Sequence, residues 1–384
     1  MRTIQKFNIL FIFVMISCQT PVEKKEIIGC YLSWKWQQNQ ELLNPQNIPY
    51  DKLTMINYSF FYPLESGEIV GMDPNADRHL LKGEINKSII ELAKQYGTKV
   101  ILSIGGWETS NNFPQVSADP KKREIFAHWC VKHIKNYGFD GIDIDWEFPG
   151  YKQHNGTSDD KLNFTLLLQT VKDSLKSLEN TIGGNYLLTV SLPAAESHLS
   201  DLEVTKISSI VDYINIMTYD LHGPWGNISN HNSPLFGPAQ GDAARCLDGA
   251  FKLYHEVHNV PSEKITLCSV FFGHSYSNCK EIYGIHSGTD TTIFKSGEDI
   301  LYSHINEKMD LFERYWDFQA QAPYLISKEN STLVSFDDEE SVALKSDYII
   351  KNNAGGLTIW PLMGDYLKSG ETPLLKVINE KLSI

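Results

Sequence analysis

Eight short apolar runs recur along the 384-residue chain, at 27–32, 53–61, 99–104, 141–147, 186–192, 211–219, 265–272 and 356–360. Between several of them, apolar residues fall at helical intervals. Ile125, Phe126, Trp129, His133 and Ile134 form one such stripe, with Gly138 beyond it as a stop signal. Leu162, Leu166, Leu167, Val171 and Leu175 form another. Strands alternating with helices pack as a parallel sheet, and eight repeats suit closure into a barrel. The expected fold class is therefore α/β, a (β/α)8 TIM barrel.

The interval between the seventh and eighth runs is longer than one helix requires. It predicts a small α+β insertion at about 274–333, and Trp316-Asp317 with Ala322-Pro323-Tyr324 argue for a folded subdomain there. The acids Asp337-Asp338-Glu339-Glu340 precede a helix over 341–350, where they suit the macrodipole. Residues 1–18 look like a leader: Arg2 and Lys6 precede an apolar run at 9–16 that is too short to span a bilayer. Ile16-Ser17-Cys18 resembles a bacterial lipobox, so Cys18 is expected to carry lipid and tether the protein to the cell envelope, on the periplasmic or outer side. Ordinary cleavage nearby is the alternative. The expected organisation is a lipoprotein-type signal peptide at 1–18, a linker at 19–26 and the barrel at 27–384.

A net charge of −13 opposes binding to nucleic acid or to anionic polymers, so a neutral ligand fits best. Five cysteines follow Cys18, namely Cys30, Cys130, Cys246, Cys268 and Cys279. They contain no CxxC pair, which predicts neither a metal site nor redox chemistry.

The most informative segment is Asp140-Gly141-Ile142-Asp143-Ile144-Asp145-Trp146-Glu147. Alternate residues of a strand share a face, so Asp143, Asp145 and Glu147 point together into the barrel while Ile142, Ile144 and Trp146 face helices. Asp140 has the opposite parity and is expected to anchor the strand's entry. Three acids on one buried face raise one another's proton affinity, which keeps at least one of them neutral near pH 7. A general acid needs that state. A Ca²⁺ site would instead want a Gly-rich loop and carbonyl ligands.

This segment resembles the signature of glycoside hydrolase family 18, the chitinases and endo-β-N-acetylglucosaminidases. Other landmarks follow in family order: Ile56-Asn57-Tyr58-Ser59-Phe60, Ser103-Ile104-Gly105-Gly106-Trp107, Asn215-Ile216-Met217-Thr218-Tyr219-Asp220 with His222-Gly223-Pro224-Trp225, and Gly355-Gly356-Leu357-Thr358-Ile359-Trp360. The resemblance implies Glu147 as acid and base, and Asp145 as the holder of the substrate acetamido N–H. It makes Asp143 the buried partner and Tyr219 the donor to the acetamido oxygen. It further implies that Asp220, Met217, Trp107, Trp225, Trp360, Ser103, Tyr31 and Phe60 line the substrate site. Ser103 would bond Asp143, and Trp34 and Trp36 would extend the platform near Tyr31. His274 departs from the pattern, since many relatives have Arg there, and neither it nor His222 is expected in the catalytic set. The function implied is a monomeric chitinase, without metal or cofactor, that retains anomeric configuration. The alternatives are an endo-β-N-acetylglucosaminidase and a non-catalytic sugar-binding protein.

Overall fold

The computed structural model describes residues 24–84, 87–295 and 300–383, so the leader and Cys18 lie outside it. Eight parallel strands form the barrel: β1 (Glu26–Leu32), β2 (Met55–Pro63), β3 (Lys99–Gly105), β4 (Gly141–Asp145), β5 (Leu187–Pro193), β6 (Tyr213–Met217), β7 (Ile265–Val270) and β8 (Gly356–Trp360). Each strand pairs with its successor, and β8 pairs back to β1, which closes the sheet. Ile28, Met55, Ile101 and Leu187, packed by Tyr213, plug the N-terminal end of the barrel. The main core lies between barrel and helices, where outward-facing residues such as Ile142, Ile144 and Trp146 are buried.

The helix Pro120–Tyr137 begins under an Asp119 cap and stops at Gly138, whose φ of 88° is left-handed. The helix Asp160–Ile182 buries Phe164, Leu167, Leu168, Val171, Leu175 and Leu178. Leu162 and Leu166, which the sequence stripe placed inward, are exposed, because the packed face is turned toward Phe164 and Leu168.

Between β7 and β8 stands an antiparallel sheet of five strands, ordered Ile300–Leu301, Phe272–Ser277, Thr332–Ser335, Ala322–Ser327, Phe312–Asp317. Short helices, such as Tyr302–Asn306, complete this α+β insertion. The acidic run then divides its labour. Asp338 caps the helix Glu339–Lys351 through the Ser341 amide, while Asp337 is buried against the Lys345 ammonium at 2.5 Å.

Candidate active site

The site forms where β4 ends. Asp143 is fully buried and accepts four hydrogen bonds, from Thr189 Oγ1 (2.6 Å), Ser103 Oγ (2.7 Å), Asn215 Nδ2 (3.1 Å) and Ser191 Oγ (3.2 Å). Burial lifts its carboxyl above the usual range, although all four donors pull the other way. Asp145, next up the column, is buried, and its Oδ1 has no hydrogen-bond partner among the described residues. Burial, then Glu147 and Asp143, push its carboxyl well up. Glu147 is raised to about 8 by burial and by the charge of Asp220. Four donors on Asp143 and a bare oxygen on Asp145 settle the column's negative charge low in the barrel, with protons above it.

Glu147 does not lie on the strand, contrary to the expected run 141–147, because β4 stops at Asp145. The Asp145 carbonyl makes the last rung by accepting from Gly106 N–H at 2.8 Å. Beyond it, side chains hold the main chain. The Glu147 amide donates to Ser110 Oγ at 3.0 Å, and His154 Nδ1–H donates to the Glu147 carbonyl at 2.6 Å. A Cβ on Gly105, whose φ is 128°, would meet the Asp145 carbonyl oxygen at 2.0 Å, so this crossing requires glycine.

Tyr219 likewise falls past the end of β6, which stops at Met217. The Thr218 hydroxyl takes over the ladder: it donates to the Cys268 carbonyl at 2.7 Å and accepts from the Cys268 amide at 2.9 Å. The Tyr219 ring lies parallel to Trp360, with centroids 6.4 Å apart and planes 7° apart. Trp360 in turn stacks on Phe60 at 5.8 Å, and Phe60 on Trp34 at 5.7 Å. A continuous aromatic bed therefore runs beside the carboxylates. Met217 is buried at the same strand end, while Asp220 follows with a left-handed φ of 52° and an exposed side chain.

A family model described as glycosyl hydrolases family 18 matches residues 27–365. The chain belongs to this family. It is 35% identical to chitinase A1 of Niallia circulans over 72% of its own length, and covers 42% of that protein. It is 28% identical to chitinase B of Serratia marcescens over 82% of its length and 73% of the relative's. The chain spans less than two thirds of the first relatives it matches, 42% of one and 58% of the next. Among solved structures, a chitinase from Bacillus thuringiensis superposes with a TM-score of 0.83 at 30% identity, covering 94% of this chain and 70% of that one. The Ostrinia furnacalis Group IV chitinase gives 0.83 at 26% identity, covering 94% and 100%.

Most of the residues that the family resemblance singled out meet around the β4 column, but Tyr31 does not. Its side chain is fully buried on the outward parity of β1, stacked with Tyr58, and its hydroxyl donates to the Leu43 carbonyl at 2.5 Å. Cys30, its neighbour, takes the inward position and feels the charges of Asp143 and Asp145. Tyr31 is core. Trp107 and Trp225 are 44% and 62% exposed, so their ring surface is open to solvent. Trp107 packs its other side on His154 (4.5 Å) and Tyr151 (5.5 Å).

Several site residues escaped sequence reasoning. Thr189 and Ser191 share one parity on β5, and Thr266 and Thr358 tie Asn215 Oδ1 at 2.7 and 3.3 Å. The period-2 rule would have found these polar residues on otherwise apolar strands. Ser110 and His154 carry no periodic signal, because they lie in short 3-10 turns, Trp107–Asn112 and Lys152–His154, that meet Glu147 only in the fold.

Proposed function

We propose that this chain is a chitinase, cleaving β-1,4 bonds between N-acetylglucosamine units with retention of configuration. The observation that carries the reading is the carboxylate column: Glu147 protonated to about pH 8 above a bare, buried Asp145 oxygen, beside the Tyr219–Trp360 bed. A protonated Glu147 gives its proton to the glycosidic oxygen as the bond to the anomeric carbon breaks. The substrate's own acetamido oxygen attacks that carbon, as family 18 enzymes are known to do instead of using a second carboxylate. Asp145, once its proton has passed down to Asp143, accepts the acetamido N–H and balances the positive oxazolinium ring, while Tyr219 O–H donates to the acetamido oxygen. Glu147, now ionised, takes a proton from water, which reopens the ring from the face the leaving group left. Two inversions give net retention. Trp360 offers its flat face to the sugar at the cleavage position, and Trp107 and Trp225 offer theirs on the leaving-group side. The chitinase names of the relatives support the same substrate class.

The decisive experiment follows the product anomer by NMR on chito-oligosaccharides, with a high-mannose glycopeptide in parallel. Retained product from the former alone is expected. Inverted product would require a protein base and overturn substrate assistance, and cleavage of the glycopeptide alone would make the enzyme an endo-β-N-acetylglucosaminidase.

We also propose that Cys18 is the lipidated first residue of a monomeric, envelope-tethered enzyme, a reading supported by the Ile16-Ser17-Cys18 pattern after an apolar run. Cys18→Ala should move activity from the membrane fraction to a soluble or unprocessed pool. Unchanged fractionation would remove the anchor.

A further inference from the structure

One rung of the inserted sheet grips Asp220 twice. His274 and Ser335 are register partners on two adjacent strands of it, Phe272–Ser277 and Thr332–Ser335. His274 Nε2 lies 2.7 Å from Asp220 Oδ1. Ser335 Oγ accepts from the Asn232 amide at 2.8 Å, and the Asn232 side-chain oxygen accepts from the Asp220 amide at 2.7 Å. Asp220 takes a left-handed φ of 52°, a conformation that Asp adopts more readily than most residues, and these bonds fix it there. His274 itself is 2% exposed, with Trp225 and Phe272 edge-on at 5.3 and 5.4 Å. Its second nitrogen, Nδ1, is buried with no hydrogen-bond partner among the described residues.

That bare nitrogen identifies the tautomer. An imidazolium carries N–H on both nitrogens and would strand one of them, whereas the neutral ring with its proton on Nε2 leaves only a lone pair unpaired. We infer that His274 is a positioning residue, a neutral donor by which the inserted sheet holds Asp220 at the catalytic acid without cancelling its charge. Asp220 then keeps its full negative charge near Glu147, and that charge, after burial, is what raises the acid. Arg at this position would hold Asp220 equally well but would place a cation beside the pair. Among the described residues, the nearby titratable groups also include Tyr276 on the same strand, which feels Asp220, and Tyr219, edge-on to Phe272.

This inference rests on the proposed glycosidase reading for its kinetics but not for its spectroscopy. The ¹⁵N spectrum of histidine-labelled enzyme reports the tautomer whether or not substrate is cleaved. An unprotonated Nδ1 resonance for His274, assigned by its loss in His274→Gln, is expected at pH 6. A doubly protonated ring there overturns the inference. In kinetics, His274→Ala should lower kcat about tenfold, the scale of one charge-assisted hydrogen bond, in a variant that stays folded by circular dichroism at the assay temperature. His274→Gln, which restores a neutral donor, should recover most of that loss and keep the wild-type pH profile. His274→Arg should move the alkaline limb of kcat/KM toward acid by about one unit. Wild-type rates and profile in His274→Ala, or an alkaline shift in His274→Gln, would also overturn it. A wild-type enzyme inactive on chito-oligosaccharides would sink the chitinase reading alone.

Discussion

The main-chain N–H of Glu147 donates to the Ser110 hydroxyl at 3.0 Å, across 37 positions of sequence. The same hydroxyl donates to the Gly106 carbonyl at 2.9 Å, so one buried serine ties the loop after β3 to the acid after β4. Ser110→Ala leaves a buried amide unpaired, which should cost about 1–3 kcal/mol of stability. It should also lower kcat more than it changes KM, because the acid loses its hold. Urea unfolding beside steady-state kinetics would measure both, and an alanine variant indistinguishable from wild type would dismiss the role.

Glu147 titrates in the folded protein at about 8, above the ordinary carboxyl value. A general acid works only while protonated, so kcat/KM should fall as pH rises through about 8. The linkage has a matching sign. The folded state holds this proton more tightly than the unfolded chain, so the stability it confers is complete below the unfolded value and lost as pH climbs through the folded one. Glu147→Gln cannot ionise and should lose less stability between pH 5 and 9 than wild type. Its turnover should drop at least about 10²-fold. Parallel unfolding curves in that range, or near-native turnover, would contradict the assignment.

Lys345 and Asp337 form an ion pair with both side chains buried, joined by Ser233 and Ser269. Removing one partner strands the other charge, so Lys345→Met should cost about 3–5 kcal/mol. The double variant Lys345→Met with Asp337→Asn should recover part of that loss. Calorimetry of the single and double variants tests it, and additive losses would show that the two charges do not depend on each other.

Trp107 presents much of its ring to solvent, so Trp107→Ala should leave melting unchanged while raising KM for long chito-oligosaccharides. Losing one aromatic platform of about 0.5–1.5 kcal/mol corresponds to roughly two- to tenfold. Equal KM values for dimer and hexamer substrates in wild type and variant would place the tryptophan outside the binding path.

The barrel and its column were legible because both rest on short periodicities. Apolar runs of strand length placed all eight strands, and alternation along β4 placed Asp143 and Asp145 inward and Trp146 outward. Asp140 anchors the entry as expected, accepting from the Val100 amide at 2.8 Å. Periodicity misled where a strand yields to side-chain ties: the ladder passes to Ser110 at Glu147 and to Thr218 before Tyr219. Tyr31 misled for a different reason, since an aromatic residue near a strand's C-terminal end can take either parity, and here Cys30 holds the inward one. Residues such as His154, in a short 3-10 turn, and Ser335, at the end of a strand of the inserted sheet, act through neighbours far away in the chain, and no local pattern encodes such meetings.

The apolar plug of Ile28, Met55, Ile101 and Leu187 makes the barrel a cup rather than a tube. On the proposed chitinase reading, a long polymer therefore cannot be threaded through; it must be laid across the rim. Both fragments must leave by the opening through which the intact chain arrived, so departing product and incoming substrate contend for the same doorway.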